Sequence, residues 1–166
     1  DVERSRGLGD VYKRQMLSKP LSRTLTPKEI TLAKSVFGDA LDYSAVRLKT
    51  AWWVLKGYGV APNGVIYFNK ADWYDDFGDE TLGKRAWLIH ELTHVWQYQV
   101  GMAVFWRALF NRRYRYTLTG KSFYRYGIEQ QAKLVEDFYI RRELGKDCGA
   151  WRACLPFELG QDAKPR

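Results

Sequence analysis

Apolar side chains recur at helical spacing in three stretches of this chain. The first follows Thr26-Pro27-Lys28-Glu29, where Thr26 can cap a helix, Pro27 suits its first turn and Glu29 completes a capping box. Ile30, Ala33, Val36 and Phe37 then share one face, and Gly38 stops the run. The second stretch covers residues 81 to about 100. There Leu88, Ile89, Leu92, Val95 and Trp96 form a wide apolar arc, which suits a mostly buried helix. The third runs from about 128 to 144, with Ile128, Ala132, Val135 and Tyr139 on one stripe and Gly145 behind it.

Two shorter pieces read as strands. Val46-Arg47-Leu48-Lys49-Thr50 alternates apolar and polar, and Val65-Ile66-Tyr67-Phe68 is a β-branched and aromatic run entered through Pro62-Asn63-Gly64. Residues 72–80 carry five carboxylates and read as an acidic loop. Gly101 ends or bends the second helix before the apolar stretch 102–111, residues 112–126 are a basic, aromatic connector, and the chain after 145 looks irregular. The expected class is α+β: a mainly helical domain with a small antiparallel sheet and a central helix. Residues 1–15 are polar, lack any period and precede Met16, so they are expected to be a non-native or disordered extension. Residues 16–166 are expected to form a single domain.

Composition narrows the function classes. Seven Trp, eleven Tyr and eight Phe argue against disorder and allow a core built from few large side chains. No apolar run approaches the ~20 residues that cross a bilayer, and Met16 is not followed by a signal-peptide core. The expectation is a protein made in the cytoplasm, free to leave by a route without a cleaved signal. The net charge of +8 is spread along the chain. Cations interleave with aromatics at Arg112-Arg113-Tyr114-Arg115-Tyr116 and Lys121-Ser122-Phe123-Tyr124-Arg125, as in single-strand binders, but a solvated basic face is the ordinary reading and nucleic acid is not expected. Cys148 and Cys154 leave free thiols and a short-loop disulfide equally open.

The chemistry sits in His90-Glu91-Leu92-Thr93-His94. Two histidines four apart on a helix project from one face and can share a zinc ion, while Glu91 can accept a proton from a water that zinc acidifies. Three fixed positions of this kind arise by chance in on the order of one chain in 200 of this length. Here they also use the chain's only two histidines, inside a strong helical pattern. A catalytic zinc usually takes three protein ligands. With no third histidine, the third must be a carboxylate. Glu129 and Glu136 share a face of the last helix about 10 Å apart along its axis, so they cannot bind the same ion. Glu129 is preferred, because Ala132 one turn on permits close helix approach; Glu136 is the alternative. Asp137 and Glu143 are minor candidates, and Asp137 suits orientation of a histidine from behind. A peptide substrate would add a strand along 65–68. Tyr124, Tyr126 and Tyr67 are candidates for oxyanion or substrate contacts.

Leu25-Thr26-Pro27-Lys28-Glu29-Ile30, Ser35-Val36-Phe37-Gly38, the segment Leu88 to Gln97 and Glu129-Gln130-Gln131-Ala132 together resemble small bacterial Rhs- or Vgr-related proteins. These are similar to the metallopeptidase-like core domains associated with contractile injection systems. The resemblance implies a zincin-like peptidase fold, a gluzincin zinc site with Glu129 as third ligand, a peptide or protein substrate, and export by a type VI secretion system. One position departs from that pattern: many gluzincins carry an aspartate four residues after the ligand glutamate, and here it is Lys133. A zinc-bearing module without turnover is the rival reading. It predicts the metal but no hydrolysis.

Overall fold

In the computed structural model, residues 19–102 and 115–157 are described. The extension 1–15 and the apolar stretch 102–111 therefore fall outside the described residues, except for Met102. Strand β1 (Ser22–Arg23) leads into helix α1 (Pro27–Phe37). Thr26 Oγ1 accepts from the Glu29 amide and the Glu29 carboxylate accepts from the Thr26 amide, so the capping box is closed. β2 (Arg47–Thr50), β3 (Gly59–Val60) and β4 (Val65–Phe68) follow. Then come α2 (Leu82–Gln99), α3 (Ile128–Glu143) and the short α4 (Gly149–Cys154). The acidic stretch 72–80 turns through 3-10 segments at Lys70–Asp72 and Phe77–Asp79.

The sheet has the order β1-β2-β4-β3 and is mixed, not antiparallel. β2 and β4 run parallel, with Leu48 opposite Ile66 and Thr50 opposite Phe68, while both outer strands are antiparallel to their neighbours. The parallel pairing follows from the chain between β2 and β4: it crosses over through a loop and β3 instead of closing a tight hairpin. It has a second consequence. β4 is paired on both sides, so the edge expected for an added strand does not exist there; the free edge nearest it is β3.

Pleating sends Leu48, Thr50, Ile66 and Phe68 to one face, where all are buried. That face meets α2, through Phe68 against Trp87 at 5.0 Å between ring centroids. Every residue in 88–97 is buried, so this helix buries His90, Glu91, Thr93, His94 and Gln97 along with its apolar arc. α3 packs antiparallel to it: His94 meets Glu129, His90 meets Glu136 and Arg85 meets Tyr139 as the two numberings run in opposite directions. Ala132 is fully buried in that interface. Phe37, Trp96, Phe123 and Phe157 close the far end in edge-to-face contacts.

Candidate metal centre

The α2–α3 packing gathers three ligating groups. Glu129 Oε2 lies 3.5 Å from His90 Nε2 and 3.4 Å from His94 Nε2. The candidate ligand atoms of the three residues all fall within 4.8 Å of one another, and all three residues are buried. Two imidazoles and one carboxylate are a donor set suited to zinc.

Each histidine is also held from behind. His90 Nδ1 is 3.0 Å from Glu136 Oε2, and His94 Nδ1 is 2.8 Å from Gln97 Oε1. An acceptor at Nδ1 keeps a proton there and leaves Nε2 as the atom that faces Glu129 and would bind a metal shared with it. Lys133 Nζ donates to Glu136 at 2.8 Å, and Gln97 Nε2 donates to the Ile128 carbonyl and to Gln131 Oε1. Both supporting networks are therefore anchored on α3.

These contacts separate the roles of the acidic residues on α3. Glu136 stands two turns beyond Glu129 and so reaches the opposite nitrogen of His90; it orients that ring instead of offering a rival ligand. Asp137 is rotated away from both histidines. It accepts from Tyr116 Oη at 2.6 Å and pairs with Lys133 at 3.0 Å. Glu143 pairs with Arg142 at the end of the helix. Lys133, in the position where the family resemblance expects aspartate, clamps the carboxylate that does the orienting.

Glu91 is the unusual group. It is buried one residue after His90, and its Oε2 has no hydrogen-bond partner among the described residues. Burial drives its carboxyl above the usual range, although His90 and His94 pull it back. β3 passes directly over it. A Cβ placed on Gly59 would lie 2.5 Å from Glu91 Oε1, so the strand approaches this closely because residue 59 has no side chain.

The three tyrosines lie elsewhere. Tyr67 alternates with the buried Phe68 and stacks on Trp53 at 5.4 Å, on the face of the sheet turned away from α2. Tyr126 is buried, donating to the Thr117 carbonyl and accepting from the Thr119 amide. Tyr124 is exposed beside Phe123. Among the described residues no hydrogen bond or ring contact joins any of them to the histidines. Cys148 and Cys154 are free thiols, at the N-cap and in the last position of α4. Lys133 stood out in the sequence only as a departure from the gluzincin pattern, and the parts played by Gln97, Gln131 and Gly59 depend on tertiary packing. Of those three, Gln97 alone left a local trace, as a polar residue three after His94 in an apolar run.

The electrostatics make a prediction for metal exchange. Burial opposes a charged His90, but hydrogen bonds to Glu129 and Glu136 outweigh it and raise its pKa to about 10. Glu129 is correspondingly held down at about 2, burial notwithstanding, by the two histidines. In chelated protein His90 is thus protonated at neutral pH, stabilising the fold until pH rises from the ordinary imidazole range through about 10. A metal ion held by Nε2 needs the neutral ring, so binding one at pH 8 would release a proton from His90. Titration calorimetry in buffers of different ionisation enthalpy reads this as a slope that Glu136→Gln, which keeps the three ligands but weakens the hold on the protonated ring, should reduce.

No helix among the described residues is long and apolar enough to cross a membrane. No family model matches the chain. It is 41% identical over 137 residues to the type VI secretion system spike protein VgrG2b of Pseudomonas aeruginosa, an alignment covering 72% of this chain and 13% of that protein. The chain thus spans a small part of the spike protein's length. The solved effector domain of Pseudomonas aeruginosa VgrG2b matches with a TM-score of 0.69 at 35% identity, over 87% of this chain and 89% of that one. Since the match takes in nearly the whole of that domain, the chain belongs to the family of the VgrG2b effector domain.

Proposed function

We propose that this chain is a type VI secretion effector module that hydrolyses peptide bonds, using zinc held by His90, His94 and Glu129 in a zincin-like domain. The observation that carries the catalytic part is Glu91, a buried carboxylate with an unpartnered oxygen set beside the ligand histidines. A metal held for stability needs the three ligands and their supports. It gains nothing from a further buried acid, whose desolvation costs several kcal/mol.

The division of labour follows from position. Zinc bound here supplies Lewis-acid polarisation of a carbonyl and makes water more acidic. Glu91 takes the proton from the attacking water and returns it to the departing amine, a task suited to a carboxyl whose pKa burial has raised. Glu136 and Gln97 hold the rings in the required tautomer. The free edge of β3, which crosses Glu91 at Gly59, offers main-chain groups to an extended peptide.

The likeness to a secretion spike and its effector domain speaks for delivery, not for a reaction, and a metal-bearing module without turnover satisfies it as well. Elemental mass spectrometry and a peptide-library digest separate the two. Stoichiometric zinc, lost in His94→Ala and in Glu129→Ala, is expected. So is cleavage that chelator stops and zinc restores. Zinc without cleavage selects the module; no transition metal after reconstitution removes both.

A further inference from the structure

We propose that loop 51–58 and the outer face of the sheet form a docking surface for an anionic lipid bilayer. The loop presents Trp52 at 49%, Trp53 at 51%, Leu55 at 69% and Tyr58 at 58% exposure, four large apolar side chains in succession. Its backbone is not loose. The Ala51 amide donates to the Phe68 carbonyl, Asn69 Nδ2 to the Val54 carbonyl at 2.7 Å, and the Gly57 amide to the buried Asp72 carboxylate at 2.6 Å. Buried Val54 pins the middle. The fold therefore spends hydrogen bonds on holding these aromatics outward, against the ordinary drive to bury them.

Charge identifies the occupant. From Tyr43 to Ala71 the chain has no carboxylate, and it carries Arg47, Lys49, Lys56 and Lys70. Arg47 and Lys49 lie on the outer face of β2, opposite Val65 and Tyr67 of β4, and Trp53 stacks on Tyr67, so loop and sheet are one surface. An aliphatic tip, flanking Trp and Tyr, and surrounding cations match the layers of a bilayer: acyl chains, interface and anionic headgroups. A glycan would also stack on Trp, but its hydroxyls want carboxylates beside the rings, and this segment lacks them. The surface stands independently of the metal centre.

The test is co-sedimentation of the whole chain with phosphatidylethanolamine–phosphatidylglycerol vesicles against phosphatidylcholine vesicles. Partitioning into the anionic vesicles is expected, with a blue shift of Trp fluorescence. Leu55→Glu, at unchanged Tm because that side chain is the most exposed of the four, and the Trp52→Ala/Trp53→Ala pair should each weaken it by about tenfold or more. Lys49→Glu/Lys56→Glu should weaken it and flatten its salt dependence. A wild-type chain that stays in the supernatant with both vesicles overturns the proposal, as does Leu55→Glu binding like wild type. Retention on peptidoglycan sacculi without vesicle binding assigns the surface to glycan instead, and equally overturns it.

Discussion

Glu91→Gln is expected to keep its metal and, on the proposed hydrolytic reading, to cleave peptides about 10²–10⁴-fold more slowly, the range a positioned general base contributes. Glutamine has the length and breadth of glutamate, so it fits beneath Gly59 and leaves His90, His94 and Glu129 undisturbed; metal content reads this directly. Removal of the base should appear in kcat more than in KM, because the lost interaction belongs to the proton transfer. Stability moves the other way. A carboxyl whose folded pKa lies above its unfolded value costs stability at neutral pH and nothing once both states are protonated. In chelated protein Glu91→Gln therefore melts at a higher temperature than the parent at pH 7, and the gain fades below the ordinary carboxylate range. Thermal scans at the two pH values check it. A variant that loses activity and stability together would show that Glu91 holds the fold.

Glu29→Ala lowers stability by about 3–5 kcal/mol, the cost of breaking a buried ion pair. The Glu29 carboxylate is fully buried. It accepts two bonds from Arg23 at 2.7 Å, one from the Thr26 amide at 2.9 Å and one from the Phe77 amide at 2.8 Å. Alanine removes half of the capping box, leaves the Arg23 charge without its partner and strands the buried Phe77 amide at the same time. For a domain of this size the loss corresponds to a fall in Tm of roughly 10 °C, measured by circular dichroism. Glu29→Gln, which can still accept one or two of these bonds, should lose less. Zinc content of the folded protein should not change, as α1 supplies no ligand.

The same residue shows where sequence reading stops. Glu29 as a capping residue was legible from four adjacent letters, because a capping box is local. Its ties to Arg23 and to the amide of Phe77 join distant segments and left no local sign. The bounds of α1, α2 and α3 were readable to within a residue or two, since helical period and caps are written into neighbouring positions. The sheet was not. β1 and β3 are two residues long, and the parallel register of β2 on β4 depends on how the intervening chain crosses over. Helix α4, six residues behind Cys148, is likewise too short to show a period.

The candidate centre divides in the same way. His90, Glu91 and His94 stand on one helix and could be placed from spacing alone. Glu129 followed from the absence of a third histidine and from Ala132, which lets the helices approach. Which acid orients His90 depends on the rotation of α3 about its axis, and no pattern of letters fixes that. Glu136 and Asp137 are neighbours in the chain, yet one faces His90 and the other Tyr116.

The approach of β3 to Glu91 gives the protein a steric address outside its reactive residues. A single methyl group at position 59 claims the volume in which the carboxylate stands, while the three ligands and their supports lie on α2 and α3 and feel nothing directly. On the proposed reading, proton transfer and metal retention would thereby be separable at one strand residue that does neither. In relatives whose glutamate is intact, the residue that pairs with Phe68 on the neighbouring strand then says whether that glutamate can still take up this position.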